Sequence, residues 1–98
     1  SLLPHAHYRG IKSRFEAIFP DGRTEVLLSV PNYDFNWQTN YVLREPKYLP
    51  AGTTVVITFW WDNSSRNPAN PDASVDVIWG LQSWDEMLVG WITYSEVE

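Results

Sequence analysis

The sequence predicts an all-β fold, an antiparallel sandwich or barrel, and three observations carry that prediction. Apolar and polar residues alternate with a period of two along several stretches, as in strands with one buried face. Turn signals recur at the roughly 8–12-residue spacing of such folds. Aromatic residues make up 15% of the chain, with six Trp, five Tyr and four Phe, a composition that favours strands over helices.

The elements follow in order. After Gly10 the odd positions Ile11, Ser13, Phe15, Ala17 and Phe19 are mostly apolar. The even positions Lys12, Arg14 and Glu16 are charged. This predicts one half-buried strand, whose phase extends back to His5. In Pro20-Asp21-Gly22-Arg23 the proline presets φ and the glycine takes a positive φ, so the segment is a turn. A strand over 24–30 completes a hairpin. Residues 31–37 form a loop by their Pro and Asn content, yet carry Tyr33, Phe35 and Trp37. Those rings either plug one end of the fold or offer a stacking platform for a planar ligand.

Alternation returns over 38–44, and Glu45-Pro46 and Leu49-Pro50-Ala51-Gly52 punctuate a connection. The β-branched and aromatic run over 53–61 lacks clean alternation, which predicts a strand buried on both faces or central in a sandwich. Its neighbours Trp60 and Trp61 must diverge, one to the core and one to the surface or opposite face. Residues 62–74 are irregular, and the last two strands are expected over 75–79 and 86–94.

At 98 residues the chain is one domain's worth. It is 44% hydrophobic and 19% charged, which is globular composition. A net charge of −5 argues against nucleic acid, which selects a basic face. The longest apolar run, over 55–61, is too short to span a bilayer. The absence of cysteine excludes disulfides, zinc fingers and thiol chemistry. Beginning at Ser1 without an initiator Met, the chain reads as an excised segment of a longer protein. No Gly-rich phosphate loop is present, and histidines confined to the N-terminus do not support a Ser-His-Asp triad. Asp62, Asn63, Asn67, Asn70 and Asp72 match no calcium-loop spacing, and Asn-Pro and Asp turns account for them.

The two histidines, His5 and His7, lie at i and i+2, so on a strand both imidazoles share a face and can reach one ion. Their phase with Ile11, Phe15 and Phe19 puts them toward the interior or its rim. The single methionine, Met87, supplies a soft thioether. Two imidazoles and a thioether suit copper better than zinc, calcium or magnesium, and three protein ligands leave a coordination position open. Taken alone, the spacing equally fits two satisfied polar residues at a strand end, with Met87 as core filler. Asp85 and Glu86 are adjacent and face opposite ways, which excludes a paired acid and base. One of these carboxylates is expected to orient a ligand imidazole.

Several segments, in order, resemble one family. They are Pro4-His5-Ala6-His7-Tyr8-Arg9-Gly10, Val30-Pro31-Asn32-Tyr33-Asp34-Phe35-Asn36-Trp37-Gln38, Leu49-Pro50-Ala51-Gly52-Thr53, Asp62-Asn63-Ser64 with Asn67-Pro68 and Asn70-Pro71, Trp79-Gly80, and Asp85-Glu86-Met87. Together they look like the C-terminal catalytic domain of the copper type II, ascorbate-dependent monooxygenases, the family of peptidylglycine α-hydroxylating and dopamine β-monooxygenases, and above all its bacterial relatives. The resemblance implies a jelly-roll-like β-sandwich in which His5, His7 and Met87 bind the copper that activates dioxygen for C–H hydroxylation. It also implies an upstream domain with a second, all-histidine copper site, ascorbate as reductant, and a periplasmic or extracellular location. With no further histidine in the chain, that second site lies elsewhere, and this domain alone is not expected to turn over.

The departures bear on substrate. In the peptide-amidating enzyme an Arg, an Asn and a Tyr grip the substrate's carboxylate; the matching positions here are Leu3, Val89 and Trp91. A C-terminal glycine peptide is therefore not the expected substrate. Bacterial relatives often carry His-Tyr-Asp-Asn where this chain has Trp60-Trp61-Asp62-Asn63, so no accessory histidine is available there. The competing reading is a non-catalytic β-sandwich interaction or ligand-binding module with a vestigial metal site.

Overall fold

The computed structural model describes residues 1–95. It contains no helix among them, and so no helix long and apolar enough to cross a membrane. Five strands are present: β1 (Leu2–Ala6), β2 (Gly10–Ile18), β3 (Thr24–Val30), β4 (Thr54–Trp61) and β5 (Leu88–Ile92). They form two antiparallel sheets, one pairing β1 with β5 and the other in the order β3-β2-β4.

The expected β2–β3 hairpin is present, and Gly22 takes a φ of 89° at its turn, a conformation glycine adopts without steric cost. A register shift falls between Phe15 and Glu16. The inner face of β2 follows the sequence pattern from Ser13 onward, with Ser13, Phe15 and Ala17 buried, whereas Ile11 is exposed where the β2–β4 register shifts between Gly10 and Lys12. Phe15 lies between Leu28 on β3 and Ile57 on β4.

The stretch from His5 to Phe19 is two strands rather than one. A turn closed by Gly10 N–H donating to the His7 carbonyl (3.1 Å) separates β1 from β2 and sends them to different sheets. Period two does not survive such a turn, and the phase inverts. Leu2, Pro4 and Ala6 are the buried residues of β1, so His5 lies on the other face, away from the side that Phe15 occupies.

Other strand expectations change for related reasons. Residues 38–44 reach the sheet only through Tyr41, which exchanges two 2.8 Å backbone hydrogen bonds with Leu2. Residues 75–79 contribute a single bridge, Trp79 to Glu86. The 53–61 run is an edge strand, β4, and not a doubly buried one. Its outer apolar surface is covered by long cationic side chains instead, with Lys12 Nζ 4.5 Å and Arg14 Cζ 5.3 Å from the Trp60 ring centroid. Trp61 diverges from Trp60 as expected and stacks on Phe59, yet neither tryptophan is fully buried.

The core cluster is Ala6, Val30, Tyr33 and Phe59, drawn from β1, β3, the loop after β3, and β4. The sheets also meet at Gly90 on β5. A Cβ added there would come within 2.3 Å of Ile57 Cδ1 and 3.1 Å of Phe15 Cζ, so a larger residue would force the Ile57 side chain to shift.

Candidate metal centre

His5 and His7 are brought together at the end of β1. Their ring centroids are 5.1 Å apart with an interplanar angle of 85°. Two imidazoles bonded at about 2.0 Å to one ion have centroids about 5 Å apart at a near-tetrahedral angle. His7 is 5% exposed and His5 is half-buried. Phe35 packs against both rings, at 6.2 Å from His5 and 5.7 Å from His7, and Trp91 packs 5.8 Å from His5.

Hydrogen bonding defines the ring tautomers. His5 Nδ1 lies 2.8 Å from Gln38 Oε1, and His7 Nδ1 lies 3.2 Å from the Asp85 carbonyl. The Gln38 amide is oriented by its own Nε2, which donates to the Phe35 carbonyl at 3.0 Å. Both partners of the imidazoles are therefore acceptors, and each Nδ1 carries the proton. Each Nε2 is left as a lone pair, and neither has a hydrogen-bond partner nor is sealed from solvent among the described residues. This is the protonation pattern of metal-ligating histidines, whose second nitrogen donates to an oxygen. Two such imidazoles suit a borderline transition-metal ion, copper, zinc, iron or nickel alike.

Met87 follows Glu86 and immediately precedes β5. The β1–β5 register pairs Ala6 with Leu88 and His5 with Val89 and ends there, one residue short of both His7 and Met87. The Met87 side chain is half-buried and lines a groove of roughly 410 Å³ with Arg9, Trp61, Ile78, Trp79 and Leu88. Neither imidazole lines that groove. The structure therefore joins the two histidines directly, whereas the Met87 side chain faces a separate groove. Among the described residues, no three His, Cys, Asp or Glu side chains converge.

The expectation that a carboxylate orients an imidazole is corrected: Asp85 serves His7 through its backbone carbonyl. The Glu86 carboxylate holds backbone instead. It accepts from His7 N (3.1 Å), Arg9 N (3.0 Å) and Trp61 Nε1 (2.8 Å). Arg9, buried at 1% exposure, lies beside it and donates to Asn63 Oδ1 and to the carbonyls of Trp84 and Asp72. These two residues fasten the histidine turn to the end of β4 and the 62–87 segment. Arg9 and Gln38 had no site role on sequence grounds, because their partners are 33 to 75 positions away.

The face beside His5 is apolar. Register pairs Leu3 with Trp91 and His5 with Val89, and directly paired residues share a face. Leu3, Val89 and Trp91 thus give this face of the β1–β5 pair no charged side chain beside His5.

The polar loop over 62–74 is occupied with its own turns. Asp62 Oδ1 accepts from Ser64 N at 2.8 Å, and Asp72 Oδ1 accepts from both the Ser74 hydroxyl (2.6 Å) and its backbone N–H (2.9 Å). Hydrogen bonds from Ser64 and Ser74 hold the Asp62 and Asp72 carboxyls below their ordinary value of 3.8. A depressed folded-state pKa gives stability that is complete above the ordinary value and is lost as pH falls through the lowered one. The Ser64 and Ser74 amide resonances should therefore titrate with midpoints below 3.8; midpoints above it would contradict these turns.

No protein family, characterised protein or solved structure matches this chain.

Proposed function

We propose that this chain is the copper-binding C-terminal domain of a monooxygenase-like protein of bacterial type, exported to the periplasm or beyond. The observation that carries the proposal is the pair of imidazoles 5.1 Å apart, both protonated at Nδ1 by their hydrogen bonds and both presenting Nε2. In this reading His5 and His7 are the imidazole ligands and Met87 is the thioether ligand. The two antiparallel sheets are read as part of a jelly-roll-like sandwich. Bound copper would supply the redox centre at which dioxygen is activated for hydroxylation of a substrate C–H bond. The chain's own residues hold the ion and shape its surroundings: Phe35 and Trp91 wall the imidazoles, and Glu86 fixes the His7 backbone. Leu3, Val89 and Trp91 favour a substrate without a carboxylate at this face. A second copper domain upstream and ascorbate as reductant complete the proposed enzyme, and the isolated domain is expected to bind copper without turnover.

Anaerobic titration of the metal-free domain with Cu(I) tests this. Binding of one equivalent is expected, lost in His5→Ala and in His7→Ala and weakened in Met87→Ile. Binding indifferent to all three substitutions would overturn the assignment.

A second reading, an interaction module with a vestigial site, is favoured by the exposed aromatic surface. Trp37, Trp79 and Tyr94 are 80%, 68% and 78% exposed, and exposed aromatic rings are the side chains that most often anchor protein–protein contacts. This reading predicts that loss of His5 or His7 has no functional effect.

A further inference from the structure

Strand β1 has β5 on one edge only, and its other edge is closed by the segment that follows β3. Tyr41 pairs with Leu2 at the start of that edge. At its end stands Ala6, the residue between the two histidines, and no strand reaches it. The Tyr33 hydroxyl takes the place of one: it accepts from Ala6 N at 3.0 Å and donates to the Ala6 carbonyl at 2.7 Å. Burial pushes the Tyr33 hydroxyl up from its ordinary pKa, so it stays protonated and the donated bond persists. Two residues on, the Phe35 ring lies against His5, His7 and Tyr8. Gln38 then closes the segment by accepting from His5 Nδ1 and donating to the Phe35 carbonyl. The segment is itself rigidified, since Tyr33 N donates to Ile11 O and Trp37 N to Asp34 O, each at 2.9 Å.

We propose that residues 33–38 form a strap that positions the imidazole pair, with Gln38 acting through His5 and Tyr33 acting through Ala6. The proposal rests on the metal reading above. Neither residue is a ligand. Gln38 fixes the proton of His5 on Nδ1 and so keeps Nε2 available; Tyr33 fixes the backbone from which both imidazoles project. A hydrogen-bonded partner of this kind typically changes metal affinity about 10- to 100-fold.

The test has two readouts on the same proteins. In the metal-free chain at about pH 8.5, where imidazole is neutral, long-range proton–nitrogen NMR reports which His5 nitrogen carries the proton. A competition titration then gives the Cu(I) affinity. Gln38→Leu is expected to lose the fixed Nδ1–H form of His5 and to bind Cu(I) about 10- to 100-fold more weakly, while Gln38→Glu, which keeps an acceptor, retains both. Gln38 is at the surface, so these variants leave the core intact. Tyr33→Phe keeps the ring but removes both Ala6 bonds, and is expected to weaken Cu(I) binding with the His5 proton still on Nδ1. Unchanged tautomer and affinity in Gln38→Leu would overturn the role of Gln38, and unchanged affinity in Tyr33→Phe would overturn that of Tyr33. A wild-type chain that holds His5 Nδ1–H yet binds no Cu(I) would overturn the metal reading and the positioning role with it, leaving the Gln38–His5 hydrogen bond itself intact.

Discussion

Replacing Arg9 by Met is expected to destabilise this protein strongly. The Arg9 side chain is 2% exposed and its ion-pair partner Glu86 is 12% exposed, with Nη1 and Oε2 3.9 Å apart. At that separation the charges help each other, but the hydrogen bonds matter more. Arg9 supplies donors to Asn63, Trp84 and Asp72, three points on a segment with no strand of its own. Met fills the volume but leaves those acceptors without donors and the Glu86 carboxylate without a cation. Removing one partner of a buried ion pair costs about 3–5 kcal/mol. A domain of this size has only about 5–15 kcal/mol in total. The urea midpoint, followed by tryptophan fluorescence, should fall by about a fifth or more of its wild-type value. Arg9→Lys should recover only part of the loss, because an ammonium lacks the planar fork that serves several acceptors at once. A midpoint unchanged in Arg9→Met would show that the hub contributes no net stability.

Phe15→Ala should be comparably damaging by a different route. Phe15 is fully buried, at the centre of β2 and directly beneath Gly90 of β5. Truncating a buried Phe costs about 3–5 kcal/mol through lost burial and the cavity left behind. Here the cavity opens between the two sheets, where Gly90 and Ile57 make close contact. Because β5 is the only strand partner of β1 among the described residues, loosening that contact also loosens the strand that carries His5. Cu(I) affinity and stability are therefore expected to fall together in Phe15→Ala, whereas Gln38→Leu lowers affinity alone. Phe15→Leu, which retains most of the volume, should cost less than half as much. Unfolding at the wild-type midpoint in Phe15→Ala would contradict this account of how the sheets are held together.

The sequence by itself determined the all-β class, the 24–30 hairpin strand, the turn at Gly22 and the Ser13, Phe15 and Ala17 face of β2, though not the exposure of Ile11. Each depends on interactions between near neighbours in the chain: period-two burial, a positive φ, a two-strand turn. It also marked His5 and His7 as a pair, since i and i+2 share a face wherever a strand forms. Only the tertiary structure decided the rest. Residues 38–44 and 75–79 alternate like strands but find single bridges, because pairing needs a free edge at the right place. The phase of the histidines was inverted by a turn whose anchors, Arg9 and Glu86, meet segments far away in sequence. The proton positions on His5 and His7 were fixed by Gln38 and by the Asp85 carbonyl, 33 and 78 residues distant. No local pattern encodes such contacts, because a backbone carbonyl belongs to every residue and acquires a role only when the fold brings it to an imidazole.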